Sequence, residues 1–135
     1  MAWGRITLHL DRDDVAMGDS MPKRVAKEAP AGILVSAAIA KYSITVGGPD
    51  WVWVALVDGE VAAVWSTGEG VKLLVPDRKL EHGPVEIFYR YFTQMDATWL
   101  YNQLASGTPA NRWDLRQAYA DHIERNHFRP LSEDA

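Results

Sequence analysis

The stretch Trp51-Val-Trp-Val-Ala-Leu-Val-Asp-Gly-Glu-Val-Ala-Ala-Val-Trp65 decides the fold of this chain. Two runs rich in β-branched and aromatic residues flank Asp58-Gly59. That pair suits a two-residue type I′ turn, because both turn positions need φ > 0. A regular hairpin over 51–57 and 60–66 then sets Val57 opposite Glu60, Leu56 opposite Val61, Ala55 opposite Ala62, Val54 opposite Ala63 and Trp53 opposite Val64. One face carries Trp51, Trp53, Ala55, Val57, Ala62 and Val64. The other carries Val52, Val54, Leu56, Val61, Ala63 and Trp65. Neither face is polar, whereas a sheet with one side in water alternates. Both sides of this ribbon therefore need a cover.

Outward from the hairpin, Arg5 to Leu10 alternates with Ile6, Leu8 and Leu10 on one side and Arg5, Thr7 and His9 on the other, the pattern of a half-buried strand. Asp11 to Asp14 and Gly18 to Ser20 read as an acidic loop. Pro22 to Ala29 reads as a short surface helix opening on proline. Ala31 to Tyr42 is apolar nearly all round; four alanines favour a helix, while Ile33, Val35 and Ile39 pull towards strand. Helix is the expectation. Gly47 to Asp50 is a loop. Val71 to Val75 is a strand halted by Pro76, and Val85 to Phe92 another. The last third is helical: Ala97, Leu100, Tyr101 and Leu104 make an i, i+3, i+4, i+7 stripe behind Thr93 and Asp96. Gly107 supplies a left-handed stop, and Thr108-Pro109 restarts a helix ending at Pro130.

The expected architecture is one α+β domain over 1–130 with a flexible tail at 131–135. Its antiparallel sheet has about five strands, the hairpin 51–57/60–66 is central, and helices pack mainly on one face.

Composition bounds function. The chain has 135 residues, a formal charge of −4 and no cysteine. Lys and Arg are scattered apart from Lys23, Arg24 and Lys27, which argues against a nucleic-acid footprint. Without cysteine there are no disulfides, thiolate chemistry, Cys-type zinc sites or iron–sulfur clusters. The segment Met1 to Thr7 lacks a signal-peptide layout, and the mostly apolar run Ala31 to Ala40 is about half a bilayer span. The expectation is a soluble cytoplasmic protein with no membrane contact and no cofactor.

Three clusters could carry chemistry. His9 and Asp11 point the same way from a strand and, with Asp13 and Asp14 following, could hold a divalent metal, although the spacing is not that of an EF-hand. The segment Asp121-His-Ile-Glu-Arg-Asn-His127 sets its two histidines five apart, off the i, i+4 spacing of a zincin. Phe88 and Phe92 flank Arg90, whose guanidinium can stack on an aromatic ring and bind an anion bidentately. Ser36, Ser43, Ser66 and Ser106 lie in no nucleophile elbow, and the Gly47-Gly48 and Gly68/Gly70 loops match no phosphate-binding pattern.

The residues favour binding over catalysis, and three functions are expected in descending order. The first is an interaction protein that self-associates or docks a protein partner through a Trp-bearing sheet face, with Trp51 and Trp53 as anchors and Glu60 and Ser66 at the rim. The second is a binder or enzyme for an anionic or aromatic small molecule, with Phe88, Arg90, Phe92, Trp99 and Tyr101 lining a pocket between sheet and C-terminal helices. The third is a metal-assisted hydrolase built on His9, Asp11 and Asp13.

Overall fold

A computed structural model describes residues 4–15 and 24–133, with side chains of the last helix described as far as Asn126. Trp3, the 18–20 loop and the Pro22 helix start lie outside the described residues. Among the described residues, eight strands and three helices follow one another as β1 (Arg5–Arg12), β2 (Val25–Pro30), β3 (Ile33–Leu34), α1 (Val35–Lys41), β4 (Trp51–Val57), β5 (Glu60–Ser66), β6 (Gly70–Leu73), β7 (Lys79–Leu80), β8 (Val85–Gln94), α2 (Ala97–Ala105) and α3 (Arg112–Glu133). The α+β class and the two C-terminal helices match the sequence reading.

The main sheet has six strands in the order β2-β1-β8-β4-β5-β6, and β3 pairs with β7 in a small second ribbon. It is mixed rather than antiparallel: β1 and β8 run parallel, with His9 beside Glu86 and Asp11 beside Phe88. Hairpin chemistry dictates antiparallel pairing only between neighbours in sequence. Strands separated by most of the chain are free to pair either way.

Three local expectations change. Residues 25–29 form an edge strand instead of a helix, with Ala29 opposite Ile6 and Ala26 opposite His9. Pairing to β1 satisfies that strand's outer hydrogen bonds and buries Ala29, and this outweighs the helical propensity of Ala, Lys and Glu. Within 31–42 the helix begins only at Val35, because Gly32 turns the chain at φ +90 and Ile33 pairs with Leu80. Asp77 then caps α1 from a distance, its Oδ1 accepting the Ser36 amide at 3.1 Å. Finally, α3 continues through Pro130 to Glu133.

The hairpin forms around Asp58 (φ 50) and Gly59 (φ 83), as the I′ turn requires. Its register slips, however. Leu56 stays opposite Val61, but Ala55 faces Ala63, Val54 faces Val64 and Trp53 faces Trp65. Ala62 is the extra residue of a β-bulge, which moves every later side chain of β5 to the other side. A second irregularity lies between Val52 and Trp53, where Thr93 of β8 takes a φ of 127.

Both faces of the ribbon are filled from within the chain. On one, Trp53, Ala55, Val57 and Trp65 pack with Leu8, Leu10, Ile87, Tyr89 and the α1 residues Val35, Ala38 and Ile39. On the other, Val52, Val54, Val64 and Phe92 pack with Ala97 and Leu100 of α2 and Leu115 of α3. Helices therefore cover both faces, not mainly one. Each buried aromatic withdraws roughly 150–250 Å² from water, which makes these two layers the main source of stability.

Candidate functional site

The two C-terminal helices cover only half of their face. Asp96 caps α2 by accepting the Thr98 amide at 3.0 Å, and Asn111 does the same for α3 through the Asp114 amide at 3.0 Å. From these caps α2 runs over β5 and α3 over β8. Arg116 Nε donates to the Phe92 carbonyl at 2.8 Å, and Arg112 reaches the Tyr91 carbonyl at 3.2 Å, fixing α3 across the far end of β8. Short of that crossing, β2, β1 and the 86–90 stretch of β8 have no helix over this face among the described residues.

That uncovered half forms a trough of about 710 Å³. Register decides its lining. Glu86, Phe88 and Arg90 alternate outward from β8, and His9 and Asp11 from β1, with His9 beside Glu86 and Asp11 beside Phe88. Leu56 of β4 stands next to Phe88, and Ala26 of β2 next to His9. Ala26 is small, so the floor dips at that strand. The turn at Gly59 closes one end, and Asp58 anchors it by accepting the Glu86 amide at 2.9 Å.

The charges are unevenly matched. Asp11 faces Arg24 at 3.5 Å, a weak pair because the arginine is 90% exposed. Glu86 and Arg90 are four residues apart along one strand, about 13 Å, and so do not meet. Arg90 lies over the Phe88 ring at 5.8 Å and has no carboxylate partner among the described residues. The trough thus offers an apolar and aromatic floor beside the Arg90 guanidinium, whose donors meet no acceptor among the described residues. Such a group binds a carboxylate or phosphate through two parallel N–H···O bonds while its plane rests on an aromatic ring.

The five residues expected to share a pocket are split among four places. Phe88 and Arg90 line the trough. Phe92 is fully buried beneath α2 and α3. Trp99 sits between those helices, with ring centres 5.0 Å from Tyr119 and 5.8 Å from His122. Tyr101 lines a separate cavity of about 360 Å³ with Val61, Leu74 and Leu104.

The metal candidates also part company. His9 and Asp11 share the trough, but Asp13 accepts the Tyr91 amide and an Arg112 N–H, both at 3.0 Å. No group of three metal-binding side chains assembles among the described residues.

The docking anchors lie inward. Trp53 is 1% exposed and Ser66 is 1% exposed, the Ser66 hydroxyl accepting the Glu69 amide at 3.1 Å. Trp51 is half-buried, its ring 5.3 Å from Tyr91, and only Glu60 is exposed. The Trp-bearing face is core because α1 and the 42–50 segment close over it, so it does not offer a docking surface.

Sequence reasoning missed Arg24, Ala26 and Leu56. Reading 22–29 as a helix hid the first two, and the signal for Leu56 was its place on the same hairpin face as Val52 and Val54. No known family, no curated protein and no solved structure matches this chain. No helix among the described residues is long and apolar enough to cross a membrane.

Proposed function

We propose that the chain is a binding protein whose trough takes a small anion carried on a flat apolar body, such as an aromatic carboxylate. The observation that carries this reading is Arg90, held over Phe88 in an open cavity and unneutralised by any described carboxylate. Its size supports the reading too, because ligand pockets span roughly 300–1,000 Å³ and combine apolar walls with few polar groups. In this reading Arg90 grips the carboxylate, Phe88 and Leu56 support the ring, and Glu86 and Asp11 disfavour a second negative charge.

Titration of ¹⁵N-labelled protein with benzoate, indole-3-acetate and the neutral amide of each tests the idea. Both acids are expected to move amide resonances of β1, β2 and β8, with the neutral amides binding roughly tenfold more weakly, the loss expected for one charged hydrogen-bonded contact. Arg90→Gln should erase the difference between acid and amide. Acids that move nothing, or an unchanged preference in Arg90→Gln, would overturn the reading.

A further inference from the structure

The outer edge of β2 carries a second feature, which does not depend on what the trough binds. β2 ends the main sheet, and no described strand pairs with its outer side. The opposite edge strand, β6, is half-buried and packed against α1. Among the described residues β2 is therefore the more exposed edge.

Hydrogen-bond phase fixes which backbone groups it presents. The Ala31 amide donates to the Gly4 carbonyl at 2.7 Å. In an antiparallel ladder hydrogen-bonded and non-hydrogen-bonded pairs alternate, so Ile6–Ala29, Leu8–Lys27 and Leu10–Val25 exchange bonds inward. Ala26, Glu28 and Pro30 then aim outward, with Arg24 next in the same phase. Pro30 has no N–H to present, as expected of a proline on an edge strand. The outward donors come from Arg24, Ala26 and Glu28.

We infer that β2 pairs antiparallel with β2 of a second copy about a two-fold axis through Ala26. A two-fold perpendicular to the sheet keeps each side chain on its own face, so opposed residues must share parity. Centring on Glu28 sets two glutamates opposite each other and wastes a hydrogen bond on Pro30. Centring on Lys27 sets two lysines opposite each other. Like charges directly opposed destabilise a sheet.

Centring on Ala26 instead places Arg24 opposite the partner copy's Glu28, twice by symmetry, with Ala26 against its own copy. All three outward positions then exchange main-chain bonds, about six in total. Arg24 is almost fully exposed and tied only loosely to Asp11, so it is available for this exchange. Lys27, which would guard an edge against indiscriminate pairing, here lies opposite Val25 and penalises the competing register. The self-complementary charge pattern names the occupant: a second copy.

Light scattering and sedimentation of the full chain from roughly 1 to 500 μM test this, a range set by the modest affinity of a small interface. A concentration-dependent rise from the 15.1 kDa monomer towards twice that mass is expected. Ala26→Pro removes an outward donor and no inward one, and should hold the protein monomeric. Arg24→Glu and Glu28→Arg should each weaken association about tenfold, with the double variant recovering it. A wild-type monomer across the whole range overturns the proposal. So does an Ala26→Pro variant that still dimerises, or a charge-swapped double no better than either single. Binding of benzoate reports on the trough separately, so failure of one idea leaves the other standing.

Discussion

Trp53 and Trp65 stand directly opposite one another across the hairpin, both on the face that α1 covers. A regular two-residue hairpin would have set them on opposite faces; the bulge at Ala62 brings them together. The Trp65 indole N–H donates to the Thr45 hydroxyl at 3.0 Å, pinning the 42–50 segment over this face. One inserted residue thus determines that Trp65 joins Trp53 in the layer beneath α1.

Trp53→Ala should therefore cost about 3–5 kcal/mol of stability, the range for emptying a large aromatic site in a close-packed core. Deleting Ala62 should cost at least as much, because it returns Trp65 to the face of α2 and α3, where Val64 now fits. Urea unfolding followed by far-UV circular dichroism checks both. An Ala62 deletion as stable as the parent would show that the bulge does not set the packing.

Asp13 makes a different kind of contribution. Its Oδ2 accepts the Tyr91 amide and an Arg112 N–H, each at 3.0 Å, so one carboxylate prolongs the β1–β8 pairing and ties down the start of α3. Asp13→Ala leaves the Tyr91 N–H without its acceptor and should cost about 1–3 kcal/mol. Arg112→Ala should cost less, about 1 kcal/mol, because both partners of the ion pair are partly exposed and screened. Added divalent metal should stabilise neither the parent nor Asp13→Ala, as thermal melts with and without zinc would show.

How much of this was legible follows from where the deciding contacts lie. The hairpin turn, the alternation in β1 and the stripe on α2 are local signals, and each was readable from residues within a few positions. The Ala62 bulge was not, because nothing in Val-Ala-Ala-Val marks which alanine is extra; that choice belongs to the layers above and below. β2 was misread for a related reason, since its composition favours helix and only pairing with β1 overrides it. The trough was half legible. Phe88 and Arg90 were visible as one face of a strand, and His9 with Asp11 as one face of another. That the two faces join needed the parallel β1–β8 pairing, which spans most of the chain.

Gly47 tests how tightly the loop before the hairpin is held. It sits at φ +96, and a Cβ there would fall inside the Trp51 indole. Gly59 has a similar φ of +83 but open space around it. Gly59→Ala should then cost only backbone strain, about 1–2 kcal/mol. Gly47→Ala adds overpacking against a half-buried ring and should cost roughly 2–5 kcal/mol. Equal melting temperatures for the two variants would argue that Trp51 moves aside freely.

The last expectation concerns pH. Tyr89 is fully buried, its hydroxyl donates to the Ile39 carbonyl at 2.7 Å, and burial raises its pKa well above the ordinary tyrosine value of about 10. The folded chain keeps that proton under conditions where the unfolded chain loses it. Stability from this group is thus fully present below pH 10 and is lost as pH rises above it, by up to about 1.4 kcal/mol per pH unit. Tyr89→Phe removes the titration along with the hydrogen bond. The variant should be less stable than the parent near neutrality by about 1 kcal/mol, yet lose less stability between pH 9 and pH 11. The two proteins differ only at residue 89, so the difference between their unfolding curves isolates Tyr89. Parallel curves across that range would mean that the Tyr89 hydroxyl ionises as readily in the folded chain as in the unfolded one.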